Sequence, residues 1–168
     1  MAGTQSFDLT CSCDLQEVDN AVNQALKEIR QRYDFKGLPV NIELNRAENK
    51  IVLRGPDDFK LRAMWDIIQE KMIRRQVPLK NLKTGKTLPS AGGTVTQEIS
   101  LQQGIPIETA RAIVKFVKDL KIKKVQTEIQ GDQMRISSPK RDDLQTVIGR
   151  IKEKDFGLEL RFGNYRGN

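Results

Sequence analysis

Histidine is absent from all 168 residues of the chain. That absence removes Ser–His and Cys–His catalysis, imidazole-bound zinc and the usual general base near neutral pH. Cysteine is almost as scarce, the two residues forming Cys11-Ser12-Cys13. On a strand, residues so spaced point to one face and are poorly placed for an unstrained disulfide. With no other thiol or imidazole ligand they read as small buried residues, and neither a metal site nor a cofactor is expected. No apolar run approaches the ~20 residues of a membrane span. The opening MAGTQSFDLT also lacks the charged and apolar regions of a signal peptide. The expected location is the cytoplasm, with no membrane partner.

Charged residues make up 30% of the chain and hydrophobic ones 38%, the balance of an ordinary globular protein. The length suffices to bury a core, as one domain or as two small ones. Lys and Arg number 29 against 22 Asp and Glu, a formal charge of +7 that leans mildly towards polyanions.

Hydrophobic periodicity shows one plan written twice. Phe7 to Cys13 alternates as a strand, and Asp14 with Glu17 resembles a capping box. The helix that follows carries Leu15, Val18, Val22, Ala25, Ile29 and Tyr33 on one stripe. Val40, Ile42 and Leu44 then pair with Ile51 and Leu53 as a hairpin. Gly55-Pro56-Asp57-Asp58 opens a second helix, with Pro56 suited to its first position, and Leu61, Met64, Ile68 and Met72 face inward.

The second half repeats this order. Val95, Ile99 and Leu101 mark a strand. A helix beginning at Ile105-Pro106 faces Ile107, Ala110, Val114 and Val117 inward. A hairpin turns at Gly131-Asp132, a helix carries Leu144, Val147, Ile148 and Ile151, and a last strand runs through Leu158, Leu160 and Phe162. Val40 and Glu43 recur as Val125 and Glu128, and Asp57-Asp58 as Asp142-Asp143, at one constant offset. The expected fold class is α+β, with two tandem ferredoxin-like (βαββαβ) domains whose helices cover one face of antiparallel sheets. The expected boundaries are 1–88 and 89–168, with residues 83–93, rich in Gly, Ser and Pro, as the linker. The fourth strand of the first half is weak, because VPLKNLK contains proline and lacks alternation.

Much of IQGDQMRISSPKRDDLQ is scaffolding: a Gly131-Asp132 turn, Ser138 as a helix cap, Pro139 in the first turn, and aspartates favoured there. Scaffolding does not require Arg135, Lys140 and Arg141, whose charges either answer Asp142 and Asp143 or meet an anion. Two other segments interleave basic and aromatic residues. Arg32, Tyr33, Phe35 and Lys36 end the first helix, and Arg161, Phe162, Tyr165 and Arg166 close the chain. Guanidinium groups and ring faces suit phosphates and bases, whereas rings at such places also close a core.

The Gly85-Lys86-Thr87 triplet is not a phosphate loop, because Lys80 stands where that motif needs glycine. Outward positions of the third strands are Val52 and Arg54, and Arg135 and Ser137, with no aromatic for base stacking. RNA, if it binds, is therefore expected through basic loops or at the interface between the halves. No nucleophile–base pair is visible, and a non-enzyme is expected.

In order and spacing, SFDL (Ser6–Leu9), DLQE (Asp14–Glu17), RYDF (Arg32–Phe35), ELN (Glu43–Asn45), QGI (Gln103–Ile105), IQGD (Ile129–Asp132), RDDLQ (Arg141–Gln145) and NYR (Asn164–Arg166) resemble the YajQ-like bacterial nucleotide-binding proteins. The resemblance implies two ferredoxin-like domains, with exchange of N-terminal strands as a variant that fits the weak fourth strand. It also implies a nucleotide or cyclic dinucleotide ligand, cyclic di-GMP first among them, with RNA or a regulatory protein as alternative partners. The expected binding residues are Arg32, Tyr33, Phe35, Lys36, Arg135, Lys140, Arg141, Arg161, Tyr165 and Arg166.

Overall fold

The computed structural model describes residues 3–167. In chain order the elements are β1 (Gln5–Thr10), α1 (Leu15–Gln31), β2 (Asn41–Asn45), β3 (Lys50–Gly55), α2 (Asp58–Arg74) and β4 (Leu82–Pro89). They continue as β5 (Val95–Leu101), α3 (Ile107–Asp119), β6 (Gln126–Gln130), β7 (Gln133–Ser138), α4 (Arg141–Glu153) and β8 (Arg161–Arg166). Two compact units result. Ser12–Gln103 forms one, and the chain up to Cys11 together with that from Gly104 onward forms the other.

The Ser12–Gln103 unit has an antiparallel sheet in the order β2-β3-β5-β4. Ile42, Ile51, Leu53 and Ile99 from the sheet meet Val18, Val22, Ala25 and Ile29 of α1 and Leu61, Met64, Ile68 and Met72 of α2. Burying each of the larger ones, Val, Leu, Ile or Met, contributes roughly 1.5–3 kcal/mol. Asp14 caps α1 by accepting from the Gln16 and Glu17 amides at 3.0 and 3.3 Å. Asp57 caps α2 by accepting from the Lys60 amide at 2.7 Å, so Pro56 precedes the cap rather than occupying the first helical position.

The other unit orders its sheet β6-β7-β1-β8, also antiparallel. Phe7, Leu9, Met134 and Ile136 pack there against Ala110, Ile113 and Val117 of α3 and Leu144, Val147, Ile148 and Ile151 of α4. Both sheets have the ferredoxin-like strand order, completed by exchange. β1 pairs with β7 and β8, while β5 pairs with β3 and β4.

The stretch 83–93 is not a free linker: most of it is β4, whose backbone pairs with β5 across a register shift between Thr84 and Thr87. Seven of its eight positions are exposed, so no apolar alternation marks it as a strand. The division therefore falls at Cys11/Ser12 and Gln103/Gly104, away from the 88/89 boundary read from composition. Cys11 and Cys13 are buried as expected and form no disulfide, but they do not share a face. β1 ends at Thr10, and the two thiols belong to different cores.

Other departures are local. Ile107 is exposed rather than inward, because α3 begins there, with Pro106 as its cap. Ser138 ends β7 and accepts from the Lys140 amide at 3.1 Å, so Lys140 takes the cap position of α4. The last strand is Arg161–Arg166, so Leu158 and Leu160 precede it and only Phe162 of the expected run lies within it.

Candidate functional site

In the unit that contains β1, the start of β1, the first turns of α4 and the end of β8 enclose a pocket of about 400 Å³. Its lining is Gln5, Ser6, Arg141, Leu144, Gln145, Tyr165, Arg166 and Gly167. Two of these are arginines and no described lining side chain is a carboxylate, so the lining carries positive charge. Leu144 and the Tyr165 ring give it an apolar wall. The Tyr165 ring is 58% exposed and lies 6.3 Å from Phe7, tilted by 36°. One side of the ring thus leans on the core while much of it stays free for a planar ligand.

The pocket depends on an irregularity in β8. Arg161 is paired with Thr10, Phe162 with Leu9 and Gly163 with Asp8, and then the register shifts before Arg166 meets Ser6. Asn164 sits at the shift with φ 51°, a left-handed conformation that asparagine tolerates better than most residues. Its Nδ2 donates to Asp8 Oδ2 at 2.6 Å, and Arg135 Nε donates to Asp8 Oδ1 at 2.9 Å. Asp8, 5% exposed, is thereby satisfied at both oxygens. The Arg135 hydrogen bond holds the Asp8 carboxyl below its ordinary value against the opposing effect of burial, with the Asn164 bond acting in the same direction as Arg135.

Because the carboxyl is lowered, its contribution to stability is complete above the unfolded value of ~3.9 and is lost as pH falls through the folded value. Asp8→Asn is expected to destabilise the chain by ~1.5–3 kcal/mol at pH 7. In urea melts, the gap between wild type and variant should shrink as pH falls below about 4, where the unfolded carboxyl takes up its proton before the folded one does. A gap that stays constant down to about pH 2 would contradict the assignment.

Of the ten residues expected from sequence, the pocket brings together Arg141, Tyr165 and Arg166. Arg161 belongs to the far end of β8, and Arg135 is engaged by Asp8. Lys140 is exposed at the cap of α4. The remaining four lie in the Ser12–Gln103 unit. Arg32 forms a two-bond pair with Asp34 at 3.0 and 2.9 Å. Phe35 is core at 2% exposure, with Arg32 and Lys60 over its ring at 5.5 and 4.9 Å. Tyr33 leaves the α1 stripe altogether and is 90% exposed, because α1 ends at Gln31 and a single 3-10 turn follows. Lys36 is exposed at the end of that turn.

Sequence reading missed Gln5, Ser6, Leu144, Gln145 and Gly167 as pocket residues. Ser6, Leu144 and Gln145 do fall inside the segments Ser6–Leu9 and Arg141–Gln145, and Tyr165 and Arg166 inside Asn164–Arg166. Three separate segments that carry the family resemblance therefore converge on one pocket.

A family model described as "Nucleotide-binding protein YajQ-like" matches residues 5–166. The chain belongs to that family. Among its YajQ-like relatives, a protein of Solibacter usitatus named "Nucleotide-binding protein" is 51% identical over 163 residues, 97% of this chain and 98% of that protein. One of the same name from Carboxydothermus hydrogenoformans is 52% identical over 166 residues, 99% of this chain and all of the relative. A third, from Chloroherpeton thalassium, is 45% identical over 166 residues with the same coverage. No group of three or more Cys, Asp or Glu able to hold a metal ion occurs among the described residues. No helix among them is long and apolar enough to cross a membrane.

Proposed function

We infer that this YajQ-like chain binds a nucleotide of the cyclic-di-GMP type in the pocket between β1, α4 and β8. The observation that carries the reading is Arg141 and Arg166 together, with no carboxylate side chain among the described lining residues, around an exposed tyrosine. Arginine matches phosphate with two parallel hydrogen bonds, and a tyrosine face accepts a base. Gln5 and Gln145 add amide donors and acceptors for a base edge. About 400 Å³ lies at the small end of ligand pockets. It suits one nucleotide moiety, that is, one half of a cyclic dinucleotide.

The chain acts in this reading as a receptor and not as a catalyst. The pocket's ionisable side chains are two arginines and a tyrosine, which supply binding rather than a general base at pH 7. Calorimetric titration with cyclic di-GMP at physiological salt tests the reading. Saturable heat at micromolar or tighter affinity is expected. Absence of heat with an unchanged melting temperature would contradict it.

A second reading, RNA binding, has its own observation in the Ser12–Gln103 unit. Tyr33 and Phe59 are 90% and 74% exposed, beside the basic residues Arg32, Lys36 and Lys60. RNA affinity would fall steeply with salt as counterions return to the phosphates, which separates it from a small ligand held by two arginines.

A further inference from the structure

Residues Lys118 to Lys124 hold four lysines and one acid, Asp119, and the nucleotide pocket uses none of them. Lys118 closes α3, where a cation suits the helix dipole. Lys121, Lys123 and Lys124 lie in the loop beyond it, all exposed. No ion pair among the described residues engages any of the four. Lys121 and Lys124 hold left-handed backbones, at φ 56° and 64°, which glycine or asparagine adopts at less cost. Solvation alone gives no reason for lysine at such positions.

Beside this loop lies a groove of about 450 Å³, lined by Val117, Lys118, Ile122, Val125, Gln126 and Thr127. Its apolar floor comes from α3 and the loop, and one wall is the start of β6. β6 is an end strand of its sheet, hydrogen-bonded to β7 alone. β8 and β4, also at sheet ends, are interrupted by register shifts, whereas β2, the remaining end strand, pairs regularly with β3 but belongs to the Ser12–Gln103 unit. β6 pairs regularly over all five residues, with neither proline nor bulge. Such an edge offers unpaired N–H and C=O groups to another strand.

We propose that this groove receives an extended acidic segment of a partner protein, which adds to β6 as a fifth strand of the sheet. Backbone hydrogen bonds to β6 supply affinity, alternate apolar side chains enter the Val117–Ile122–Val125 floor, and the intervening carboxylates meet the lysines. The charge complementarity selects an acidic partner. The absence of any aromatic ring from the lining disfavours single-stranded nucleic acid, which needs stacking surfaces.

The test uses the full chain and fluorescence anisotropy with labelled, end-blocked peptides. One alternates valine and glutamate, a second alternates valine and lysine, and oligouridine serves as the nucleic-acid probe. Saturable binding of the valine–glutamate peptide is expected, at least tenfold tighter than the valine–lysine peptide. The double variant Lys118→Glu/Lys123→Glu should reverse that preference while its melting temperature stays near that of wild type, and restored binding of the opposite peptide shows that it is folded. Amide exchange across Gln126–Gln130 should slow when the acidic peptide is bound. Equal affinity for both peptides, a preference the reversal leaves unmoved, or no added protection on β6 would each overturn the proposal. So would saturable oligouridine binding that the reversal abolishes without any peptide binding.

Discussion

Replacing Arg141 and Arg166 together by alanine is expected to weaken cyclic di-GMP binding by roughly 10²- to 10⁴-fold. Each arginine lost removes a charge-assisted contact of ~1.5–3 kcal/mol, and ~1.4 kcal/mol is a factor of ten in affinity. The two come from different elements, Arg141 from the first residue of α4 and Arg166 from the last of β8. Neither single variant should match the pair, because one guanidinium still holds a phosphate. Asp142 and Asp143, which follow Arg141 in the first turn, do not line the pocket. They favour the helix end and repel an anion that strays towards it. Loss of Arg141 should therefore cost more than its own hydrogen bonds. Arg161→Ala is the control, on the same strand but paired with Thr10 and outside the lining. Competition titrations should find its affinity within about twofold of wild type, the range of a surface change that touches no contact. A double variant that binds normally would remove this pocket from consideration.

A large effect of another kind is expected from Gly104→Ala, which touches no ligand. Gly104 has φ 84°, and a Cβ placed there would meet Asp132 side-chain atoms, the nearest at 2.6 Å. Its amide donates to the Cys11 carbonyl at 2.7 Å, and the next amide, Ile105, donates to the Asp132 carbonyl at 2.7 Å. The residue thus joins the end of the β1 segment to the β6–β7 turn ahead of α3. A left-handed alanine costs ~1–2 kcal/mol and overpacking against a fixed turn adds ~1–3 kcal/mol. Unfolding in urea should show a loss of roughly 2–5 kcal/mol, the sum of those two costs. Gly104→Ala/Asp132→Gly should recover part of it by removing the clash while the backbone penalty remains. A Gly104→Ala variant as stable as wild type would show that the turn yields easily and that this contact does not hold the unit together.

Helices and inward faces were legible because α1, α2 and α4 bury nearly the stripes that period 3.6 marks, as Val18, Leu61 and Leu144 show. The repeat likewise pointed to two ferredoxin-like sheets. The strand exchange was legible in part, since β1 and β5 look alike by pattern and only pairing shows which sheet each joins. β4 was hidden because a strand exposed at seven of eight positions carries no alternation.

The site is a similar mixture. Arg141, Tyr165 and Arg166 were three of ten basic and aromatic candidates, and only the pocket lining separates them from the other seven. The bulge at Asn164 escaped a period-2 reading, and it is what carries Arg166 to a place opposite Ser6. Tyr33 was misread for a related reason, since a helix stripe continues on paper past the residue where the chain leaves the helix. Neutral lining residues such as Gln5 and Gly167 have no charge or periodicity to announce them.

The central claim, that a nucleotide binds between β1, α4 and β8, is tested most directly by nuclear magnetic resonance of the nitrogen-15-labelled chain during titration with cyclic di-GMP. The largest amide shifts are expected at Gln5, Ser6, Gln145, Tyr165 and Arg166, saturating together. Shifts confined to Ser12–Gln103, or none at saturating ligand, would contradict the account.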